Sequence, residues 1–519
     1  MIRSFLTVST GTLASRLLGF ARDSILAALL GAGPVADAFL AAFQLVNVAR
    51  RLLTEGGLNA ALVPAWLRVR DTGGAVAAAA FAGRVLGTIT AGLIAATAVL
   101  ALLMPFVMSV LAPGFSGHET LQIAVDDARL MLPYLAFAGP VTVLMALLNA
   151  QGRFALTAFS PLLFNIALIS VMAVLLLRRQ DATDAAQIIA ATVGIAGLLQ
   201  LSMLVLRRGN TIATPLRISY NAEMRGFLGK AIPGMVASGA PQLLVIAGMV
   251  IASTSPSAVS WLYFANRLIE LPLGIVGTAM GTVLIPEMTR ALRSDDRAAV
   301  AYAESRGLEL AVGLALPAML GLMVLSEPVV RLLFAHGAFT AADATATAQT
   351  LTWLALALPA HVLVKALSPA FFAREDTLTP LLATLKGAVL ALALAVLLGH
   401  FFGTGGIAAA IAMGAWSTAL TLIRRGAETF GFSIDTAARR RLPRMAASAL
   451  AMGALLWLMA RFALPLVAGA HGLTQALVLA SLIIGGIAIY GLFLRLFGIT
   501  GWREGLNAIR RNKPSDLRE

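Results

Sequence analysis

Residues 9–30 read STGTLASRLLGFARDSILAALL. The run is long and apolar enough to cross a bilayer, which takes about 20 residues. Yet it carries Arg16, Arg22 and Asp23. The next apolar run, 36–60, carries Asp37, Arg50, Arg51 and Glu55, and a much later one, 259–284, carries Arg267 and Glu270. Charge at membrane depth costs at least about 2.5–3.5 kcal/mol per residue, so it normally faces a wet cavity and marks a pathway. Several arginines facing such a cavity imply an anionic substrate.

Composition sets the class. Of 519 residues, 59% are hydrophobic and 12% charged, against about 25% charged in a soluble domain. Most apolar runs show no two-residue alternation, so the chain reads as an all-α integral membrane protein rather than a β-barrel. The first run lacks a short apolar core followed by a cleavage site, so no cleavable signal peptide is expected. The formal net charge is +14. Its basic residues sit mostly in short loops and read as topology signals, so nucleic acid is not an expected partner. The chain has no cysteine, which excludes disulfides, thiolate metal sites and cysteine nucleophiles. No GxSxG, HExxH, Walker A or strand–turn–helix GxGxxG motif is present, so neither an enzyme nor a cofactor is expected.

The apolar pattern predicts about fourteen spans, at 9–30, 36–60, 82–111, 129–150, 156–177, 186–206, 228–252, 259–284, 308–334, 348–371, 380–399, 405–423, 445–463 and 474–496. One set of loops holds Arg68 and Arg70, Arg153, the arginines between 207 and 225, those between 290 and 306, Arg374, and those between 424 and 444. The alternate loops hold almost none. The positive-inside rule therefore puts the first set and both termini in the cytoplasm. Arg178 and Arg179 fall on the outer side and disagree with that assignment.

An internal repeat runs through the chain. The turn LGAGPVADAF at Pro34 is loosely matched by STSPSAVSWL at Pro256. LNAQGRFALTAFSPLL around Arg153 is matched by ALSPAFFAREDTLTPLL around Arg374, at a shared offset of roughly 220 residues. Six spans fit in each repeat, so both halves keep one orientation, as in transporters whose site lies between parallel repeats. The expected domains are a first six-helix lobe at 1–220, a second at 221–435, an added helix pair at 436–500 and a basic cytoplasmic tail at 501–519.

SRLLGFARD at 15–23, GAGPVADAF at 31–39, RRLLTEGG at 50–57, WLYFANRLIELPLG at 261–274 and FFAREDTLTP at 371–380 together resemble the MurJ (MviN) family. The resemblance covers essentially the whole chain, including the added pair. It implies a fold of the MOP exporter superfamily, similar to MATE transporters, in the bacterial inner membrane. It further implies transfer of lipid II, the undecaprenyl-pyrophosphate-linked disaccharide–pentapeptide, from the cytoplasmic to the periplasmic leaflet during peptidoglycan synthesis, with the added pair forming a groove for the lipid tail. The family's cavity arginines match Arg16, Arg22, Arg50 and Arg267.

The chemistry of those positions suits a pyrophosphate. A guanidinium stays charged and offers a planar fork that holds phosphate by two hydrogen bonds. Arg16 and Asp23 are seven apart and share a helical face, whereas Arg22 points about 120° away on a regular helix. A kink at Gly19 would let both reach one cavity. Asp23, Asp37, Glu55 and Glu270 are the expected charge partners. Arg51–Glu55 and Arg267–Glu270 have the spacing of local bridges, and so do Glu327 and Arg331. Asp37 also begins its helix, where a carboxylate favours the positive dipole end. Asn149, Gln151 and Asn165 read as interhelical hydrogen-bond partners. Pro233, Gly234, Gly239 and Pro241 should bend or break the seventh span and make a hinge. No coupling ion is fixed: Asp376, beside Thr377 and Thr379, is a sodium candidate, and the membrane potential acting on a charged cavity is the alternative. An exporter of another polyprenyl-pyrophosphate-linked glycan would share the arginines. A MATE-type drug exporter would favour an acidic or aromatic cavity.

Overall fold

A computed structural model describes residues 2–54, 57–207, 216–239, 242–279, 297–372, 374, 376–431, 435–467 and 472–499. Among the described residues the regular structure is helical, without strands. In chain order the helices are α1 (Ile2–Leu30), α2 (Pro34–Thr54), α3 (Gly57–Leu111), α4 (Glu119–Met131), α5 (Pro133–Ala150), α6 (Phe154–Arg178), α7 (Ala182–Arg207), α8 (Ala222–Gly239) and α9 (Gln242–Ala252). There follow α10 (Ala258–Ala279), α11 (Arg297–Val324), α12 (Ser326–Phe334), α13 (Ala341–Ala355), α14 (Ala357–Phe372), α15 (Leu378–Phe430), α16 (Thr436–Leu466) and α17 (Gly472–Leu496).

Eight helices among the described residues are long and apolar enough to cross a membrane, or nine when α13 and α14, bent by 42°, are taken as one broken span. The charged helices α1, α2 and α10 are not among the eight. Two of the eight are longer than 50 residues. α15, at 53 residues, contains the spans expected at 380–399 and 405–423, with Gly403 in the left-handed region (φ 57) at the break between them. α3 contains Gly74 (φ 78), ahead of the span expected at 82–111. Large apolar side chains such as Leu102, Phe106, Leu177, Phe401 and Leu466 are exposed, as a lipid-facing helix surface requires.

By contacts the chain divides into two compact units. The first comprises Met1–Arg267, Leu333–Thr347 and Ala388–Ile411. In it α1 packs along α6, α2 on α4, and α3 on α5 and α8. A core of Leu58, Leu62, Phe81, Val85, Leu144 and Phe227 ties α3, α5 and α8 together. The segment before α8 lies against α3: Arg217 N donates to Gly83 O, Ser219 N to the Thr88 hydroxyl, and Arg84 pairs with Glu223 at 2.7 Å.

The second unit comprises Leu268–Leu332, Ala348–Gly387 and Ala412–Glu519. In it α11 packs on α14 and α16, and α16 on α17. Leu325, Leu456, Leu479 and Leu482 form an apolar cluster there. Polar ties fix the start of α16. Asp435 caps it by accepting from Ala438 N, Asp435 N donates to the Ser305 hydroxyl, and Glu309 pairs with both Arg306 (2.9 Å) and Arg441 (3.5 Å). The Arg374 guanidinium lies over the Phe430 ring at 3.9 Å. Glu327 and Arg331 form the expected bridge at 2.7 Å.

Candidate functional site

The charged constellation assembles around one carboxylate. Asp23, on α1, has no exposed surface. Its Oδ1 accepts from Arg22 Nε (2.9 Å) and Nη2 (2.6 Å) and from the Tyr263 hydroxyl (3.3 Å), while Arg267 Nε lies 2.5 Å from Oδ2. Arg22 is held on its other side as well. Its Nη1 donates to Asn165 Oδ1 on α6 at 3.2 Å, and Asn165 Nδ2 donates to Ser15 O at 3.1 Å. Its guanidinium carbon stands 5.1 Å from the Phe43 ring centre and 5.8 Å from that of Phe164. These contacts offset part of the desolvation cost of a buried arginine. Two guanidiniums thus share one carboxylate.

The other predicted positions fall around this centre. Arg16 is exposed, on the same α1 face as Asp23, and makes no ion pair among the described residues. Arg50, in the last turns of α2, is half-buried and acts electrostatically on Tyr134. Glu270 is half-buried three residues beyond Arg267 on α10, and Glu55 and Pro241 lie outside the described residues. Gly19, which could permit a kink, lies within a single helix α1 that has no non-helical residue. Arg22 reaches the centre by folding back onto its neighbour Asp23, and Arg267 by crossing from α10. Asn165 is the interhelical partner its position suggested. Tyr263 and Phe43 were not anticipated, although Tyr263 lies four residues before Arg267, a spacing that shares a helical face.

A second cluster lies toward the C-terminal end of α1. Asp37, buried, accepts from Ser260 N (2.9 Å) and the Ser260 hydroxyl (2.5 Å), so a carboxylate of α2 caps the first turn of α10. Beside it Asp343 accepts from Trp261 Nε1 (3.1 Å) and from Thr340 N and its hydroxyl, while Asp343 N donates back to that hydroxyl. This is a capping box at the start of α13. The Ser24 hydroxyl donates to Leu333 O, and Ala338 N donates to Ala28 O at 2.8 Å. Gly31 (φ +66) and Gly337 (φ +59) flank that last bond. A Cβ on Gly31 would come within 2.6 Å of Ala338 O, and one on Gly337 would strike Ala28 O.

In the seventh span, α8 continues through Pro233 and Gly234 and ends at Gly239, and α9 begins at Gln242. Asp376 caps α15 by accepting from Thr379 N at 2.9 Å. Burial works to raise its carboxyl, but hydrogen bonds from Thr379 and the Leu378 backbone outweigh it and hold the group below the usual carboxylate range. Among the described residues no group of three or more His, Asp or Glu side chains is placed to hold a metal ion.

The family model for lipid II flippase MurJ matches residues 26–477. The chain belongs to the MurJ family. A probable lipid II flippase MurJ of Rhizobium tropici is 36% identical, across 99% of this chain and 96% of that relative. A lipid II flippase MurJ of Burkholderia cenocepacia is 32% identical across 73% and 75%. Among solved structures, a MurJ in an inward closed conformation superposes with a TM-score of 0.75 at 21% identity, covering 95% of this chain and 98% of that one. An inward-facing MATE multidrug transporter of the MOP superfamily superposes at 0.68 and 15% identity, covering 86% and 99%. The MurJ membrane fold is thereby shown, and the MATE transporter shares its architecture.

Proposed function

We propose that this protein flips lipid II from the cytoplasmic to the periplasmic leaflet of the bacterial inner membrane, with Arg16, Arg22, Arg50 and Arg267 receiving its pyrophosphate. The observation that carries the reading is the pairing of Arg22 and Arg267 on the single carboxylate of Asp23, in a chain of the MurJ family. Without substrate, Asp23 keeps both cations satisfied. A pyrophosphate competes for the same guanidinium forks and makes short, charge-assisted bonds to them. Exposed Arg16 adds a cation to the face along which the headgroup passes.

Transport proceeds by alternating access of two six-helix lobes, fourteen spans in all, with α16 and α17 accommodating the lipid tail. Both termini are cytoplasmic by the loop arginines. On that orientation the Asp37–Ser260, Asp343–Trp261 and Ala28–Ala338 contacts lie on the periplasmic side, where they close the path. The segment around Gly239 and Pro241 serves as the hinge. The membrane potential supplies about 2.3 kcal/mol per charge per 100 mV moved, which a cationic cavity is suited to use.

The test is depletion of the protein in a strain with no second flippase, followed by assay of lipid II in each leaflet. Outward movement should stop and lipid II accumulate inside; unaltered movement rejects the reading. Arg16→Ala and Arg267→Ala should each fail to complement while reaching native membrane levels. Full complementation by Arg16→Ala would remove that residue from the mechanism.

A further inference from the structure

We infer that Gly19 is a positioning residue of the substrate site: its bare backbone is the groove in which the Arg267 guanidinium lies. The inference rests on the pyrophosphate reading above and adds to it a residue that carries no polar side chain.

A Cβ at position 19 would stand 2.6 Å from Arg267 Nη2, closer than such atoms approach. The same guanidinium has its Nε 2.5 Å from Asp23 Oδ2. Gly19 and Asp23 are four residues apart, one turn of a single helix, and so lie on one face. The Arg267 head is therefore laid lengthwise along α1, held by charge at one turn and admitted by missing bulk at the turn before. Gly19 is buried, although Arg16 and Leu17 just before it are exposed.

Local physics does not ask for glycine here. Its backbone is helical and outside the left-handed region, and glycine inside a helix costs roughly 0.8–1.0 kcal/mol relative to alanine. The space it leaves for Arg267 accounts for that choice. Asn165 lies at ordinary contact distance from the same point, 3.7 Å, so the crowding a methyl group creates falls on Arg267. With alanine present, the guanidinium must lift away from α1, its grip on Asp23 loosens, and its spacing from the Arg22 fork changes. A lysine at 267 has no atom in the position of Nη2, so the groove has nothing to admit.

The experiment is a double-mutant cycle on the full-length protein in lipid nanodiscs, with lipid II as the ligand, combining Gly19→Ala with Arg267→Lys. On the native background Gly19→Ala should weaken lipid II binding on the order of tenfold, the factor that corresponds to about 1.4 kcal/mol. On the Arg267→Lys background it should change binding by less than about twofold, because coupling through a shared contact disappears with the contact. Where Arg267→Lys leaves no measurable binding, the cycle is read on the thermal midpoint of the lipid-free protein, with the same pattern expected. Equal losses on both backgrounds would reduce Gly19 to ordinary helix packing, and no loss on the native background would show the methyl group accommodated. Native affinity in both Arg267→Lys and Arg267→Ala is a different result. It removes the pyrophosphate clamp itself, and this inference with it.

Discussion

Asp23 holds more than its own share of the local charge balance. It is fully buried and answers to two arginines and a tyrosine. Asp23→Asn should therefore remove the carboxylate that both guanidiniums contact. Removing one member of a buried ion pair costs about 3–5 kcal/mol, so thermal unfolding of the lipid-free protein should show a large drop in midpoint. An unchanged midpoint would mean that other groups carry the neutralisation. At this scale the sequence was informative about which residues matter and poor about how they meet. A charge in an apolar run announces itself through its cost, which is why Arg22, Asp23 and Arg267 stood out. Of their partners only Asn165 did, because Phe43 and Tyr263 are ordinary residues in such helices. Gly19 was noticed for the wrong property: a glycine between two arginines suggests a bend, and only the path of a side chain 248 positions later shows that the space is occupied.

The elements were legible where apolar runs end in glycine or proline and less so where one helix continues through a break. The expected loop at 400–404 is a turn of altered backbone inside α15, centred on Gly403 (φ 57), with open space where a Cβ would go. Any cost of Gly403→Ala is then purely a matter of backbone, about 1–3 kcal/mol for a residue with a Cβ in a positive-φ conformation that glycine alone adopts readily. Chemical or thermal unfolding should detect that loss, and its absence would show that the helix straightens to accept alanine. α4 and α5 show the opposite error. The span expected to start at 129 is part of a longer apolar stretch, Glu119–Ala150, because Asp126, Asp127 and Arg129 mimic a loop in the sequence. Asp127 is buried within the packing of α4 and not in a loop.

For the molecule as a whole, composition and loop charge carried the argument: few charges, long apolar runs and a two-fold internal repeat leave few alternatives to a helical transporter. They do not reveal contacts between residues hundreds of positions apart. The Asp37–Ser260 bonds, to which the proposed mechanism gives closure of the path, are one such contact. The native chain has no cysteine, so a thiol placed at Leu30, which is buried, reports on closure without background. Leu30→Cys should react slowly with a membrane-impermeant maleimide applied from outside the cell, and several-fold faster when Asp37→Ala is added. Equal rates would detach Asp37 from closure.

The meeting of Ala28 with Ala338, flanked by Gly31 and Gly337, is made of peptide groups rather than side chains. An alanine scan leaves Ala28 and Ala338 themselves unchanged and reads the bond only through Gly31 and Gly337, where even an alanine Cβ meets a backbone carbonyl. A library containing every amino acid at every position would register it differently. Positions 31 and 337 should refuse nearly all replacements, while the alanines that make the bond accept many.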